Sequence, residues 1–189
     1  MSLSNMRHPN LLEQQKACLL IVDVQERFRE HIENFELMTK NIVILIKVAN
    51  RLGLPVILSE QYPEGLGPTI KEFLLVLENH KTFAKTAFSC CQAESFVKHL
   101  EELRRPQILA TGIESHVCMN QTVHDLLARG YQTHIIADAI SSRKNVNKKI
   151  GIKKMLDSGA IISSTEMATF ELLETSSAND FKYIQSLFK

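Results

Sequence analysis

The chain has 189 residues, of which 44% are hydrophobic, and its formal net charge at pH 7 is +1. A chain of this length can bury a sizeable core, so we expect a single domain over residues 1–189. The nearly balanced charge disfavours nucleic acid or an anionic membrane as a partner, and no apolar run approaches the length of a membrane span.

The cysteine pattern argues against disulfide bonds. The cysteines show no CxxC spacing, and the N-terminus lacks the charged-then-apolar pattern of a secretory signal. We therefore expect reduced thiols in a cytoplasmic protein. The four cysteines are Cys18, Cys90, Cys91 and Cys118.

Strand-like and helix-like patterns alternate along the chain. A continuous apolar run from Cys18 to Asp23 predicts a buried strand, and apolar residues at three-to-four spacing before Gly53 predict a helix. Residues 62–68, with two prolines and two glycines, are predicted to be irregular. The predicted strands are 18–23, 55–59, 107–110, 133–137 and 160–163, and the predicted helices are 38–52, 93–103, an amphipathic segment from Cys118 to Gly130, 146–156 and 181–188.

This alternation indicates an α/β protein with a parallel sheet and helices on both faces. In open α/β sheets, ligands bind beyond the carboxyl ends of the strands. Asp23 ends the first strand, and the segment from Gly112 to Cys118 follows the strand that begins at Gln107. Both therefore emerge at the same edge of the sheet, and the order of the strands decides whether they meet.

Cys118 is the main candidate for a reactive residue. It is predicted in the first turn of a helix, where free N–H groups and the helix dipole favour a thiolate over a thiol. Such a thiolate can serve as a nucleophile. The alternative is that Cys118 simply packs in the core, as many free cysteines do.

The sequence lacks several common motifs. It contains no GxGxxG, no GxxxxGK[ST] and no GxSxG. His116 and His124 belong to no recognisable metal-binding pattern. The basic stretch from Arg143 to Lys154 is typical of a solvated helix face, so we expect no nucleic-acid binding there.

Asp23 and Lys85 are the remaining candidates. A carboxylate at the end of an apolar strand can act in catalysis, or it can merely cap the following turn. Lys85 has apolar neighbours on both sides in the sequence, and a lysine in that setting either extends to solvent or pairs with an acid. Lys81 is the competing lysine.

Three motifs together resemble the isochorismatase-like cysteine hydrolases, a superfamily that includes nicotinamidases and N-carbamoyl amide hydrolases. They are Asp23-Val-Gln, Lys85-Thr-Ala-Phe-Ser and Gly112-Ile-Glu-Ser-His-Val-Cys118, in the family's order and spacing. The resemblance covers nearly the whole chain and includes the residues from Ala137 to Arg143. The stretch Glu60–Pro68 is similar to a metal-independent subgroup of isochorismatase domain-containing proteins.

The resemblance implies a three-layer αβα, Rossmann-like isochorismatase fold. Its six-stranded parallel sheet has the order 3-2-1-4-5-6, which brings Asp23, Lys85 and Cys118 together as a triad. A cis peptide bond is also implied between Ile113 and Glu114, with the N–H groups of Glu114 and Cys118 aimed at one point as an oxyanion hole.

The family's substrate-contact position matches Phe28, and Tyr62 lies on the irregular stretch 62–68. Both residues are therefore expected to line the substrate pocket.

Two departures from the family pattern narrow the expected chemistry. Nicotinamidase-type members carry an Asp-x-His…His metal set after the second strand, whereas Ser59–Pro63 contains no histidine. We therefore predict no metal and no other cofactor, and we do not expect nicotinamidase activity. Siderophore-pathway isochorismatases lack the nucleophilic cysteine, so Cys118 argues against their enol-ether chemistry as well.

The resulting hypothesis is a cysteine hydrolase that cleaves a C–N bond of a small amide through a thioester intermediate. Asp23 would accept the thiol proton, and Lys85 would stabilise both charges. The alternatives are a non-catalytic binding or scaffold protein, and a redox-sensitive thiol protein that uses Cys118 with Cys90 or Cys91. Apolar helix faces and family habit favour a homodimer or homotetramer.

Overall fold

The computed structural model describes residues 7–189, so residues 1–6 of the predicted domain lie outside the described part of the chain. Its centre is a parallel sheet of six strands in the order β3-β2-β1-β4-β5-β6. The predicted strand order is therefore confirmed. The strands are β1 (Ala17–Val22), β2 (Val56–Gln61), β3 (His80–Lys85), β4 (Gln107–Gly112), β5 (Gln132–Ile140) and β6 (Ile161–Ser163).

Helices cover both faces of the sheet, and two short 3₁₀ turns at Glu26–Phe28 and Cys90–Gln92 lie in the connections. The helices are α1 (Phe35–Leu52), α2 (Pro63–Leu66), α3 (Lys71–Leu74), α4 (Glu94–Leu103), α5 (Cys118–Ala128), α6 (Asn145–Asp157), α7 (Thr165–Leu173) and α8 (Phe181–Ser186).

The core divides into two apolar layers, one on each side of the sheet. Side chains of β1 alternate between them, because successive residues of a strand point to opposite faces. Leu19 and Ile21 pack with residues of α1, α7 and α8, whereas Leu20 and Val22 pack with residues of α4, α5 and α6. This arrangement confirms the three-layer αβα architecture. No helix of residues 7–189 is both long enough and apolar enough to cross a membrane.

Most predicted elements are present, with ends that differ by a few residues. Helix α1 begins three residues before the predicted start and ends before Gly53, whose φ of 67° closes the helix in the left-handed conformation. The predicted irregular stretch 62–68 contains the short helix α2. Strand β3 and helices α3 and α7 are absent from the predicted elements.

The register of the sheet brings the carboxyl ends of three strands together. Val22, the last residue of β1, is paired with Ser59 of β2 and with Gly112 of β4. A Cβ atom at Gly112 would collide with the backbone of Val22, so only glycine permits this close approach. Gln61, the last residue of β2, is paired with Lys85 at the end of β3. Residues distant in sequence therefore meet at one edge.

Candidate active site

Asp23 lies directly after β1 and is almost fully buried, with 1% of its surface exposed. Its φ is 54°, a left-handed conformation that is uncommon for residues other than glycine. The N–H of Asp23 donates to the carbonyl of Ser59 over 3.1 Å, which extends the β1–β2 pairing by one residue. The Ser59 hydroxyl also donates to Asp23 Oδ1 over 2.7 Å. The carboxylate is thus held at the end of the strand.

Lys85 ends β3 and points to the same place. Its Nζ lies 2.7 Å from Asp23 Oδ2 and 2.7 Å from Gln61 Oε1, and 3.3 Å from the carbonyl of Ala87. The three N–H bonds of the ammonium therefore have three acceptors. Lys81, the alternative lysine, is exposed on the same strand. The buried acid partner belongs to Lys85.

Cys118 is the first residue of α5, in the first helical turn as the sequence predicts. It is 8% exposed. Burial opposes the preference for a thiolate that the helix terminus provides. Burial raises the pKa of the Cys118 thiol well above its usual value, and the negative charge of Asp23 raises it further. The charge of Lys85 acts in the opposite direction but is the weaker effect. The resting residue is a neutral thiol beside a carboxylate.

The loop before α5 is fixed by the segment that follows β5. The N–H of Ser115 donates to the carbonyl of Ser141 over 2.9 Å, and the hydroxyls of Ser115 and Ser142 lie 2.7 Å apart. The Glu114 carboxylate accepts from the backbone N–H and from Nε of Arg143, both at 3.0 Å. The position of the loop therefore depends on this second segment.

The peptide bond between Ile113 and Glu114 is cis. Within residues 7–189, neither the Glu114 N–H nor the Cys118 N–H donates to a backbone or side-chain acceptor. Both residues line the cavity described below.

A cavity of about 730 Å³ opens above these residues, and it is lined by Asp23, Glu114 and Cys118. Phe28 and Tyr62, the two residues expected at a substrate pocket, both contribute to its wall. No role in the pocket was predicted for the other lining side chains. These are His31, Gln61, Leu66, Phe88, Ile113, Val117 and Arg143.

The structure also reveals polar partners that the sequence analysis missed. Ser59 and Gln61 stand two residues apart on β2, and each contacts one member of the Asp23–Lys85 pair. The only sequence signal that could have identified them is their two-residue separation, which places both side chains on the same face of a strand. Without the strand order, that signal does not show which residues they face.

Within residues 7–189, the cysteines and histidines are not grouped as a metal site. Cys90 and Cys91 are buried, and Cys90 is close enough to Asp23 for the carboxylate to affect its thiol. Among the described residues, no three or more His, Cys, Asp or Glu side chains are grouped to hold a metal ion.

Known proteins show where this fold and site belong. The isochorismatase domain family matches residues 17–167. Isochorismatase domain-containing protein 2 of Homo sapiens is 40% identical over 176 residues, covering 92% of this chain and 83% of the relative. The chain therefore belongs to the isochorismatase family, and this membership supports a hydrolase function.

Solved structures agree with the fold. The MAR1 ribonuclease of Caenorhabditis elegans superposes with a TM-score of 0.89 at 35% identity, over 94% of this chain and 91% of that chain. The YcaC gene product of Escherichia coli, an octameric hydrolase of unknown specificity, has a TM-score of 0.89 at 20% identity, over 97% and 91% of the two chains. At that identity the second similarity concerns the fold alone.

Proposed function

We propose that the protein is a cysteine hydrolase that cleaves a C–N bond of a small amide through a thioester intermediate. One observation carries this proposal. Asp23 lines the same cavity as the Cys118 thiol, and its Oδ2 lies 2.7 Å from Nζ of the buried Lys85. A base and a nucleophile thus line one cavity, and a compensating positive charge is paired with the base.

Asp23 acts as the general base in this scheme. It takes the proton from Cys118 as the sulfur attacks the substrate carbonyl, because the resting thiol is neutral. The Lys85 ammonium stays paired with Asp23. Its positive charge compensates the negative charge that forms when the thiol loses its proton. The proton on Asp23 then passes to the leaving amine, and the C–N bond breaks. A water molecule then attacks the Cys118 thioester while Asp23 takes its proton. The C–S bond breaks, the acid is released, and the proton passes from Asp23 to the Cys118 sulfur.

The backbone N–H groups of Glu114 and Cys118 form the oxyanion hole in this proposal. Both are without a protein acceptor in the described residues; Glu114 lies in the loop before α5, and Cys118 is the first residue of that helix. Removing one such donor typically lowers a rate about 100- to 1,000-fold. The Arg143–Glu114 contact keeps this loop in place through its 3.0 Å hydrogen bonds.

The cavity favours a small substrate with an apolar part. Phe28, Tyr62, Leu66 and Phe88 supply apolar walls, and the cavity volume of about 730 Å³ is within the range of small-molecule sites. An ester could replace the amide, since the thiol attacks the same carbonyl carbon. We propose no cofactor for this reaction.

The test is turnover of a panel of small amides and esters by the parent protein and by Cys118→Ala. We expect the variant to lose turnover while its thermal unfolding temperature stays near that of the parent protein. Cys91→Ala, which alters a buried thiol outside the cavity lining, serves as the matched control and is expected to retain turnover. Undiminished turnover in Cys118→Ala would exclude the proposed nucleophile.

The name of the Caenorhabditis elegans relative raises a second activity to be tested, RNA cleavage. Arg143 at the cavity and the lysines of α6 provide positive charge nearby. Incubation of the same variants with RNA separates the two activities. Loss of RNA by the parent protein but not by Cys118→Ala would favour the ribonuclease, whereas amide turnover without RNA loss supports our proposal.

No turnover of any panel member would favour the scaffold or redox alternatives. For the redox alternative, mild oxidation would form a disulfide between Cys118 and Cys90 or Cys91. The protein would lose the mass of about two hydrogens, reversibly.

We also propose that residues 1–189 form one domain and that the protein is a cytoplasmic homodimer or homotetramer.

A further inference from the structure

Two polar residues of β2 contact the acid and the lysine of the site. Strand β2 lies between β1 and β3, so its carboxyl end lies between the backbone positions of Asp23 and Lys85, whose side chains meet directly. Ser59 and Gln61 occupy alternate positions there. The hydroxyl of Ser59 donates to Asp23 Oδ1 over 2.7 Å, and Oε1 of Gln61 accepts from Lys85 Nζ over 2.7 Å.

A buried ion pair can relax by moving one proton from the lysine to the acid. Both members would then be neutral, which relieves the cost of keeping charges away from water. The side chains of Lys85 and Asp23 are each 2% exposed, so water compensates neither charge. A donor on the carboxylate and an acceptor on the ammonium both favour the charged forms. Ser59 and Gln61 provide one of each.

The orientation of the Gln61 amide is set by its other contacts. Its Nε2 donates to the carbonyl of Thr86 over 2.7 Å, which leaves Oε1 for Lys85. The backbone of Gln61 is held on both sides by Gln25, which accepts from its N–H at 2.8 Å and donates to its carbonyl at 3.0 Å. The acceptor for Lys85 is therefore fixed before any substrate enters.

We infer that Ser59 and Gln61 are positioning residues that hold Asp23 and Lys85 as an ion pair, with Asp23 ionised and ready to accept a proton. The inference rests on the proposed function for one point only, the catalytic purpose of the ion pair. Ser59 is buried within the site, and Gln61 lines the cavity in addition to contacting Lys85. Each acts on the thiol through the pair.

Other titratable groups face the same pair and must be considered in any titration. The thiols of Cys90 and Cys118 lie near Asp23 and Lys85, from the 3₁₀ turn Cys90–Gln92 and from α5 respectively. Glu114 and His31 line the wall of the cavity, as does Arg143. Because burial raises the pKa of both thiols, they stay neutral at the pH at which carboxylates titrate.

The experiment measures the charge of each member directly by NMR. The full chain is labelled with ¹³C at the aspartate carboxyl and, in a second sample, at lysine Cε, and the signals are assigned with Asp23→Asn and Lys85→Met. In Ser59→Ala we expect the Asp23 titration midpoint to rise by about one pH unit, since the carboxylate loses a donor. In Gln61→Met we expect Lys85 to lose its proton about one pH unit earlier than in the parent protein.

The selectivity of these shifts distinguishes positioning from a general loss of structure. Ser59→Thr retains a hydroxyl donor, so it should keep the Asp23 titration midpoint near that of the parent protein. Thr111→Val removes a buried strand hydroxyl that bonds to the Leu20 carbonyl, and Gln121→Met alters an exposed glutamine; neither should move either signal.

Two outcomes overturn the inference. If the Asp23 titration midpoint is unchanged in Ser59→Ala, Ser59 does not have the assigned role. If Lys85 titrates no earlier in Gln61→Met than in the parent protein, Gln61 does not have it. Equal movement in the Thr111→Val or Gln121→Met controls does the same. The proposed hydrolase fails independently, through turnover in Cys118→Ala, so the two failures can be told apart.

Discussion

The Lys85 ammonium lies 2.7 Å from Asp23 Oδ2, both side chains are buried, and Asp23 lines the cavity that contains Cys118. Removing one partner of such a buried pair leaves an uncompensated charge, which typically costs about 3–5 kcal/mol of folding free energy. The pair is therefore a weak point for stability as well as the proposed source of reactivity.

Lys85→Met should lower the free energy of unfolding by about 3–5 kcal/mol, measured by urea denaturation, because the Asp23 carboxylate loses its counter-charge. It should also slow the reaction of Cys118. Lys81→Met is the matched control, since Lys81 is exposed on the same strand, and its effect should be within about 0.5 kcal/mol. Similar stability and reactivity in both variants would make Lys85 a bystander.

Gln25→Leu should loosen the segment that carries Tyr62. The buried Gln25 amide binds both backbone groups of Gln61 and donates to the Gly67 carbonyl over 2.6 Å. Leaving these backbone groups unpaired should cost about 1–3 kcal/mol for each group that water does not reach. Hydrogen exchange of residues 61–67 should become faster, whereas Gln121→Leu should not change it. Unaltered exchange in Gln25→Leu would show that the segment is held by other contacts.

Gly151→Ala should disturb the loop that precedes Cys118. A Cβ atom at Gly151 would lie 2.6 Å from the carbonyl oxygen of Ser115, so α6 or the loop must shift. We expect a loss of about 1–3 kcal/mol in stability together with slower turnover. Lys149→Ala changes an exposed residue of the same helix and should leave both quantities near the parent values. Full activity in Gly151→Ala would show that the loop tolerates this displacement.

His134 should make the protein sensitive to acid. Its ring is fully buried with no partner for either nitrogen among the described residues, and burial lowers the pKa of His134 from 6.5 to about 4. The unfolded chain binds a proton more readily, so stability is complete above pH 6.5 and falls as the pH drops towards 4. The full loss is about 3 kcal/mol.

His134→Leu should remove this part of the acid sensitivity, as measured by urea denaturation between pH 4 and 7. His80→Leu, at an exposed position, should keep the parent's pH dependence. An unchanged pH dependence in His134→Leu would show that other groups control acid unfolding.

The sequence predicted the sheet because buried strands carry a strong pattern. The apolar runs of β1 and β4 and the glycine after α1 define their elements without tertiary information. Strand β3 escaped recognition because it lies at the edge of the sheet, where four of its six residues are exposed and the sequence His80–Lys85 is mostly polar. Its only strong signal was the motif at Lys85, which came from the family resemblance.

The state of Cys118 could not be predicted from its position in the helix. The helix terminus favours a thiolate, whereas burial and the neighbouring Asp23 raise the pKa of the thiol. Neither burial nor the Asp23 contact is visible in the local sequence. The same limit applies to Ser59 and Gln61, whose roles depend on the pairing of β2 with both neighbouring strands.

The most direct test of the account is the rate of iodoacetamide alkylation at each cysteine as a function of pH, with sites assigned by peptide mass spectrometry. Burial raises the pKa of all four thiols, but Cys118 is the only one of them that lines the cavity, where a reagent can enter and Asp23 can accept the proton. We predict selective alkylation of Cys118, assisted by Asp23 and slowed at least tenfold in Asp23→Asn or Lys85→Met. Alkylation of Cys118 no faster than that of the other thiols, or unaffected by either substitution, would contradict an activated nucleophile.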